Sequence, residues 1–257
     1  MLGAIIGDIA GSIYEGYSIK TKDFPFFGNS CRLTDDSVCT ITVADTLLHD
    51  LPPAETMQKW CRRYPDAGYG GNFGMWIYTD SPEPYNSYGN GAAMRVSPAA
   101  YLNRNDLDAA RAASDKVTEI THNHPEGIKG ARATTHAIWL AFQGESVERI
   151  RQVITSEYSY DLTRTLDEIR PDYDFDITCQ GTVPQAIICA LESVSFEDAI
   201  RNAVSLGGDA DTLAAIAGPI AEALHGIPNE LKEEIESCYL TDVPDILEVV
   251  RKMYQSA

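Results

Sequence analysis

Two short motifs concentrate the groups of this chain that can do chemistry. Ser205-Leu206-Gly207-Gly208-Asp209-Ala210-Asp211-Thr212 runs into an apolar stretch, 213–224, and Thr34-Asp35-Asp36-Ser37 runs into another, 38–48. Each places two carboxylates and hydroxyls at the mouth of a segment that reads as a helix. One aspartate at a helix start is ordinary capping, because the first N–H groups have no partner inside the helix. Two exceed what a cap requires. Asp209 and Asp211 would face different sides of a regular helix, but they can converge in a turn entering one, and the preceding glycines allow the backbone angles of such a turn.

The two helix starts are therefore predicted to face each other across one site. Four carboxylates brought together repel by on the order of 4 kcal/mol per pair at ~4 Å and an effective dielectric of ~20. Neither motif holds an Arg or Lys, so divalent cations are the natural neutralising groups. Oxygen ligands without His or Cys favour Mg2+, Mn2+ or Ca2+ over Zn2+. Either motif alone reads as a capped helix with solvated acids. The pair, with Gly-Gly before one of them, reads as a metal site.

The elements that must position these motifs are helices. Strand-like alternation is nearly absent, which predicts an all-α, compact multi-helix domain with its site in the connections. The 257 residues are enough for a single domain, 1–257, with a sizeable core. A formal net charge of -18 argues against broad nucleic-acid binding or an anionic membrane surface, which need a basic face. It is compatible with a small ligand held by metal ions. Six cysteines without a C-x-x-C pair read as reduced thiols in a cytoplasmic, reducing compartment. The N-terminus is apolar but has no basic leader and is interrupted by Asp8, so it does not read as a signal peptide. No run approaches the ~18 apolar residues of a membrane span.

Helices are predicted at about 2–14, 36–49, 53–63, 70–78, 92–102, 106–121, 126–143, 146–158, 163–169, 182–193, 196–206, 211–225, 229–238 and 243–254. In the first, Gly3, Gly7 and Gly11 recur every four residues and allow another helix to approach closely; Gly16 suits its end. Glu15 is then either a solvated helix end or a further acid aimed at the site. Residues 17–33 read as an irregular loop anchored by Phe24, Phe26 and Phe27, long enough to be a lid or binding loop. The turn-rich stretch 81–91 opens into an apolar helix, an arrangement suited to phosphate, although G-N-G is also common in plain turns. Tyr85 and Tyr88 beside it can stack on a base or simply cover the loop. His122-Asn123-His124-Pro125 lacks a third ligand at zinc spacing and reads instead as a histidine donating to a ligand or a carbonyl. His136 reads as packed or surface, and His49 and His225 carry no assigned role.

The sequence resembles the ADP-ribosylglycohydrolase family in G-A-I-I-G-D-I-A-G-S-I-Y-E at 3–15, T-D-D-S at 34–37, Y-N-S-Y-G-N-G-A-A-M-R-V-S-P at 85–98, T-H-N-H-P at 121–125 and G-G-D-A-D-T at 207–212. These pieces span nearly the whole chain in the family's order. The resemblance implies an all-α fold with two Mg2+ ions, or Mn2+ in some members, at the base of a cleft that binds ADP-ribose. It implies Thr34, Asp35, Asp36, Asp209, Asp211 and Thr212 as metal ligands, with Glu15 beside the metals. Ser87, Tyr88, Gly89, Asn90 and Gly91 would hold the diphosphate, with Tyr88 near the adenine, and His122 would contact the phosphate or ribose region. Ser37 stands where Thr is common in the family and Ala92 where Gly or Ser is common; neither removes a ligand.

The implied activity is metal-dependent hydrolysis of the bond between ADP-ribose and an acceptor, with ADP-ribose or an ADP-ribosylated protein as partner and arginine as the favoured acceptor. Asp36 or Glu15 would act as general base or proton shuttle, through an oxocarbenium-like state. The alternatives are a non-catalytic ADP-ribose binder, or a hydrolase of a small-molecule or nucleic-acid ADP-ribosyl conjugate. Other all-α metal enzymes acting on phosphates would need D-D-x-x-D, E-E-x-x-E or a histidine-rich H-D site, none of which the chain supplies.

Overall fold

A computed structural model describes residues 1–255. Its elements in chain order are α1 (Leu2–Gly11), α2 (Asp35–Leu48), α3 (Pro53–Arg63), α4 (Gly71–Ile77), α5 (Gly91–Met94), α6 (Ser97–Leu102), α7 (Leu107–Thr118) and α8 (Pro125–Phe142). They continue with α9 (Val147–Tyr158), α10 (Leu166–Ile169), α11 (Cys179–Leu191), α12 (Phe196–Leu206), α13 (Ala210–His225), α14 (Asn229–Ile235) and α15 (Pro244–Gln255). No strand forms among the described residues; an isolated bridge pairs Gly89 with Thr178. The architecture is all-α, as the absence of period-two patterning predicts.

The centre of the fold is the pair α1 and α13. Every residue of α1 is buried, and so are the first twelve residues of α13, Ala210–Ala221. The glycine spacing of α1 is what brings them together. A Cβ on Gly3 would lie 2.5 Å from the Gly218 carbonyl oxygen, and one on Gly7 would lie 2.9 Å from the Ala215 nitrogen and overlap the Ala214 carbonyl. A Cβ on Gly11 would overlap the Asp211 Cα. Backbone therefore meets backbone along the whole length, and the pairing runs antiparallel. The end of α1 is delivered to the start of α13. Helices α8, α11 and α12 pack on α13, and α2 packs on α1, around one continuous apolar cluster.

Several predicted boundaries move. The first helix stops at Gly11 rather than near residue 14, and the turns that follow close at Gly16 (φ +68°), whose N–H bonds to the Gly208 carbonyl. The helix expected over 92–102 breaks into α5 and α6. Pro98 has no N–H to offer the Met94 carbonyl, which instead accepts the Thr40 hydroxyl at 3.2 Å. The segment 163–169 is helical only over α10, whose start is fixed by a Thr165–Glu168 capping box. Helix α14 ends at Ile235 and the chain widens into a π turn, Glu236–Leu240, where Thr241 Oγ1 donates to the Glu236 carbonyl.

The loop 17–33 is fastened down rather than free. Arg201 donates to the carbonyls of Lys22 and Phe24, and Lys20 Nζ donates to those of Leu206 and Tyr173. All six cysteines are free thiols, five of them buried. Among the described residues, no helix is long and apolar enough to cross a membrane.

Candidate active site

The starts of α2 and α13 meet: Thr212 Oγ1 donates to Asp36 Oδ2 at 3.1 Å. Local chemistry fixes each start. Thr34 is the N-cap of α2, in extended conformation, and its side chain accepts the Asp36 N–H. At α13 the chain enters through Gly207 (φ +75°) and Gly208 (φ +68°), conformations that disfavour any residue with a Cβ. Gly208 donates to Ser18 Oγ at 3.2 Å and its carbonyl accepts the Gly16 N–H at 3.1 Å, so the segment after Glu15 is stitched to the turn before Asp209. Asp209 holds the N-cap position without capping. Its carboxylate instead accepts Asn90 Nδ2 at 2.7 Å, and Asn90 also donates to Thr182 Oγ1.

Two sets of carboxylates result. Oxygens of Asp8, Asp36 and Asp211 lie within 4.8 Å of one another, and so do oxygens of Glu15, Asp209 and Asp211. Asp211 belongs to both. Burial, followed by repulsion from Asp211 in the one case and from Asp209 in the other, holds Asp36 and Asp211 well above the usual carboxylate range. Burial also raises Asp35 and Asp209. Burial and then Asp209 raise Glu15, which is exposed at the cleft and opposed by Arg32. Buried Asp36 Oδ1 has no hydrogen-bond partner. An orphaned carboxylate oxygen among acids that repel each other, with oxygen donors throughout, fits a hard divalent cation such as Mg2+ or Mn2+.

Asp8 is the residue that sequence reasoning missed. Its carboxylate is fully buried in α1 and accepts from Thr34 N at 2.9 Å, Thr34 Oγ1 at 2.5 Å, Ser37 N at 3.1 Å and the Ser37 hydroxyl. Burial lifts it to about 6 in spite of those donors. It therefore anchors the Thr34–Ser37 turn from behind. Its signal was present in the sequence: a lone acid in a helix apolar on every face must have partners.

All of these acids except Asp8, together with the glycine-rich loop, line one cleft of about 290 Å³. Glu15, Asp35, Asp36, Asp209, Asp211 and Thr212 lie on its wall, and so do Ser87, Gly89, Asn90, Gly91 and His122. Thr34 does not; its hydroxyl is turned to Asp8. Asp35 is on the wall but outside both close-packed sets. Tyr88 is not on the wall either. It is 47% exposed, with its ring 5.2 Å from that of His124. The aromatic and apolar wall comes from Phe73, Tyr85, Met94, Phe175 and Ile177, and the last two belong to the irregular stretch 171–181, which carried no assigned role in the sequence reading.

The two histidines of H-x-H divide their tasks. His124 caps α8, its Nδ1 accepting the Glu126 N–H. His122 is buried beside the loop, with Nδ1 2.7 Å from Thr121 Oγ1. Burial, then Arg95, pushes its imidazole well below the usual range, so it is neutral at pH 7. A Cβ on Gly91 would sit 3.3 Å from His122 Nε2 and 3.1 Å from Arg95 Nη2, so both side chains lie close against the loop backbone there. His136 is packed against Arg111 and Tyr158, away from the cleft.

Fold and site together define an all-helical protein with an acidic, cation-suited cleft facing a glycine-rich loop. The chain belongs to the ADP-ribosylglycohydrolase family, whose profile it matches over residues 1–257. It is 30% identical over 269 residues to an ADP-ribosylarginine hydrolase Tri1 of Serratia proteamaculans, covering 89% of this chain and 71% of that protein. To the Tri1 of Pseudomonas putida it is 26% identical over 268 residues, covering 92% and 72%. To the ADP-ribosylhydrolase ARH3 of Mus musculus it is 26% identical over 328 residues, covering 95% and 88%. A solved structure, titled an ADP-ribosylglycohydrolase-related protein complex, shares the fold with a TM-score of 0.72 at 22% identity, covering 99% of this chain and 95% of that one.

Proposed function

We propose that this chain is a metal-dependent ADP-ribosyl hydrolase that releases ADP-ribose from an acceptor side chain, arginine before others. The observation that carries the reading is the pair of carboxylate sets sharing Asp211, set across one cleft from the Ser87–Gly91 loop and His122. Intact acids weigh against a non-catalytic binder. Arginine is supported by the names of the Serratia and Pseudomonas relatives and by the acidic wall, which suits a cationic acceptor.

Asp36, Asp209, Asp211 and Thr212, flanked by Asp35 and Thr34, would hold two divalent cations, Mg2+ or Mn2+. When bound, such ions neutralise the acids, polarise sugar hydroxyls and acidify water. The chain's own groups do the rest. The loop at Ser87–Gly91 and neutral His122 hold the diphosphate, and Tyr88 covers the loop from outside. Asp36 Oδ1, the free acceptor, orients the attacking water. Glu15 takes its proton, because it alone of the acids is both in the clustered sets and exposed, so it can exchange with solvent. As the water oxygen bonds to C1″, the C1″–N bond breaks and the guanidine nitrogen recovers the proton.

The test is a panel of substrates carrying ADP-ribose on arginine, serine, a nucleic-acid end or acetate, incubated with Mg2+, Mn2+ or EDTA and followed by mass spectrometry. Release from arginine that EDTA abolishes is the expected result. Binding of ADP-ribose with no release from any substrate in either metal would reject a hydrolase and leave a binder.

A further inference from the structure

Arg95 is 1% exposed and forms no ion pair among the described residues. Its guanidinium carbon lies 5.0 Å from the centroid of the Phe73 ring, and Nε donates to the Gly91 carbonyl. Stacking and that bond fix the plane of the group. Yet buried Nη1 has no hydrogen-bond partner, and Nη2 faces the glycine of the loop, 3.1 Å from where a Gly91 Cβ would be. The side chain lines the cleft beside His122. Arginine cannot shed its charge, and a buried charge without a counter-ion is costly unless something anionic arrives to meet it. The planar fork matches phosphate oxygens better than any other side chain.

We infer that Arg95 is an anion-binding residue of this cleft, its free guanidinium edge meeting a phosphate oxygen of a nucleoside diphosphate held by the Gly89–Gly91 loop. The inference rests on the reading of the cleft as a site for ADP-ribose. It adds to that site a fixed cation beside the Gly89–Gly91 loop and His122, on the same wall as Asp35.

Calorimetric titration in EDTA keeps metal ions out of the measurement. The probes are ADP, inorganic pyrophosphate and adenosine, against the wild-type chain, Arg95→Met and Arg95→Lys. Loss of a charge-assisted bond predicts ADP and pyrophosphate binding weaker by about tenfold or more in Arg95→Met, partly restored in Arg95→Lys, with adenosine unchanged. ADP affinity within about twofold of wild type in Arg95→Met would overturn the inference. So would a loss of adenosine and ADP binding together, which marks a structural role. A wild-type chain that binds none of the three probes would instead overturn the ADP-ribose reading itself. If neither variant folds, a crystal of the wild-type chain with ADP decides: a phosphate oxygen in hydrogen-bond reach of Nη1 or Nη2 supports the assignment, and a diphosphate bound away from Arg95 removes it.

Discussion

Asp8 accepts four hydrogen bonds from two residues of the opposite helix start, so both of its oxygens are occupied before any ligand arrives. That makes it an anchor, and its loss is a folding defect first. Asp8→Ala is expected to cost about 2–4 kcal/mol in denaturant unfolding, since it orphans buried donors of Thr34 and Ser37; Asp8→Asn should cost less. Asp211 has the opposite character. It is buried among like charges that share its two sets. Asp211→Asn is expected to raise the melting temperature in EDTA, because it removes repulsion, and to shrink the further rise that Mg2+ gives wild type. A fall in EDTA would contradict the description. Asp36, Asp209 and Asp211 were legible from residue type and spacing alone. Asp8 was not, because it reads as a break in an apolar run until the neighbour that supplies its donors is known. Arg95 passes unnoticed for the same reason: burial and missing partners are properties of the packed state.

At the scale of elements, the site depends on how closely α1 lies on α13. Gly7→Ala places a Cβ against the Ala214 carbonyl and must push the two backbones apart. It is expected to destabilise by about 3 kcal/mol or more and to weaken Mg2+ binding, because α1 carries Asp8 and leads to Glu15. Gly74→Ala is the control. A Cβ there meets nothing closer than 4.0 Å, and the helix propensity of alanine makes the change neutral or slightly stabilising. Both are read by chemical denaturation and a Mg2+ titration. The four-residue glycine spacing announced a close helix approach but could not name the partner. Helix ends were less legible. Pro98, which splits the 92–102 segment, reads as one more residue of an apolar run until Thr40 is seen taking the carbonyl it leaves free.

For the whole molecule, the acid cluster sets how stability depends on pH. Asp8 rises from 3.8 to about 6, and Asp36 and Asp211 rise as well. A raised folded-state value means that the folded chain holds protons the unfolded chain has released. Without metal, their contribution is present at acid pH and is lost as pH rises, for Asp8 through about 6 and for Asp36 and Asp211 above the usual carboxylate range. His136 works the other way: it is lowered from 6.5 to about 4 by burial and then Arg111, so its contribution is lost as pH falls across that window. It is the same with and without metal and cancels in the difference. The stabilisation by Mg2+ is therefore expected to grow as pH rises from 5 to 7.5, measured as the gap between melting curves in Mg2+ and in EDTA. A gap independent of pH would mean that no buried acids are being neutralised. The formal charge of -18 was compatible with a ligand held by metal ions, but only the fold distinguishes the acids that repel inside the cleft from those solvated outside it.

The most direct measurement is an anomalous-scattering map from a crystal of this chain grown in Mn2+. The account predicts two peaks bounded by Asp36, Asp209 and Asp211, with Asp211 between them. A map with no peak there, or with manganese only on surface carboxylates, would contradict it.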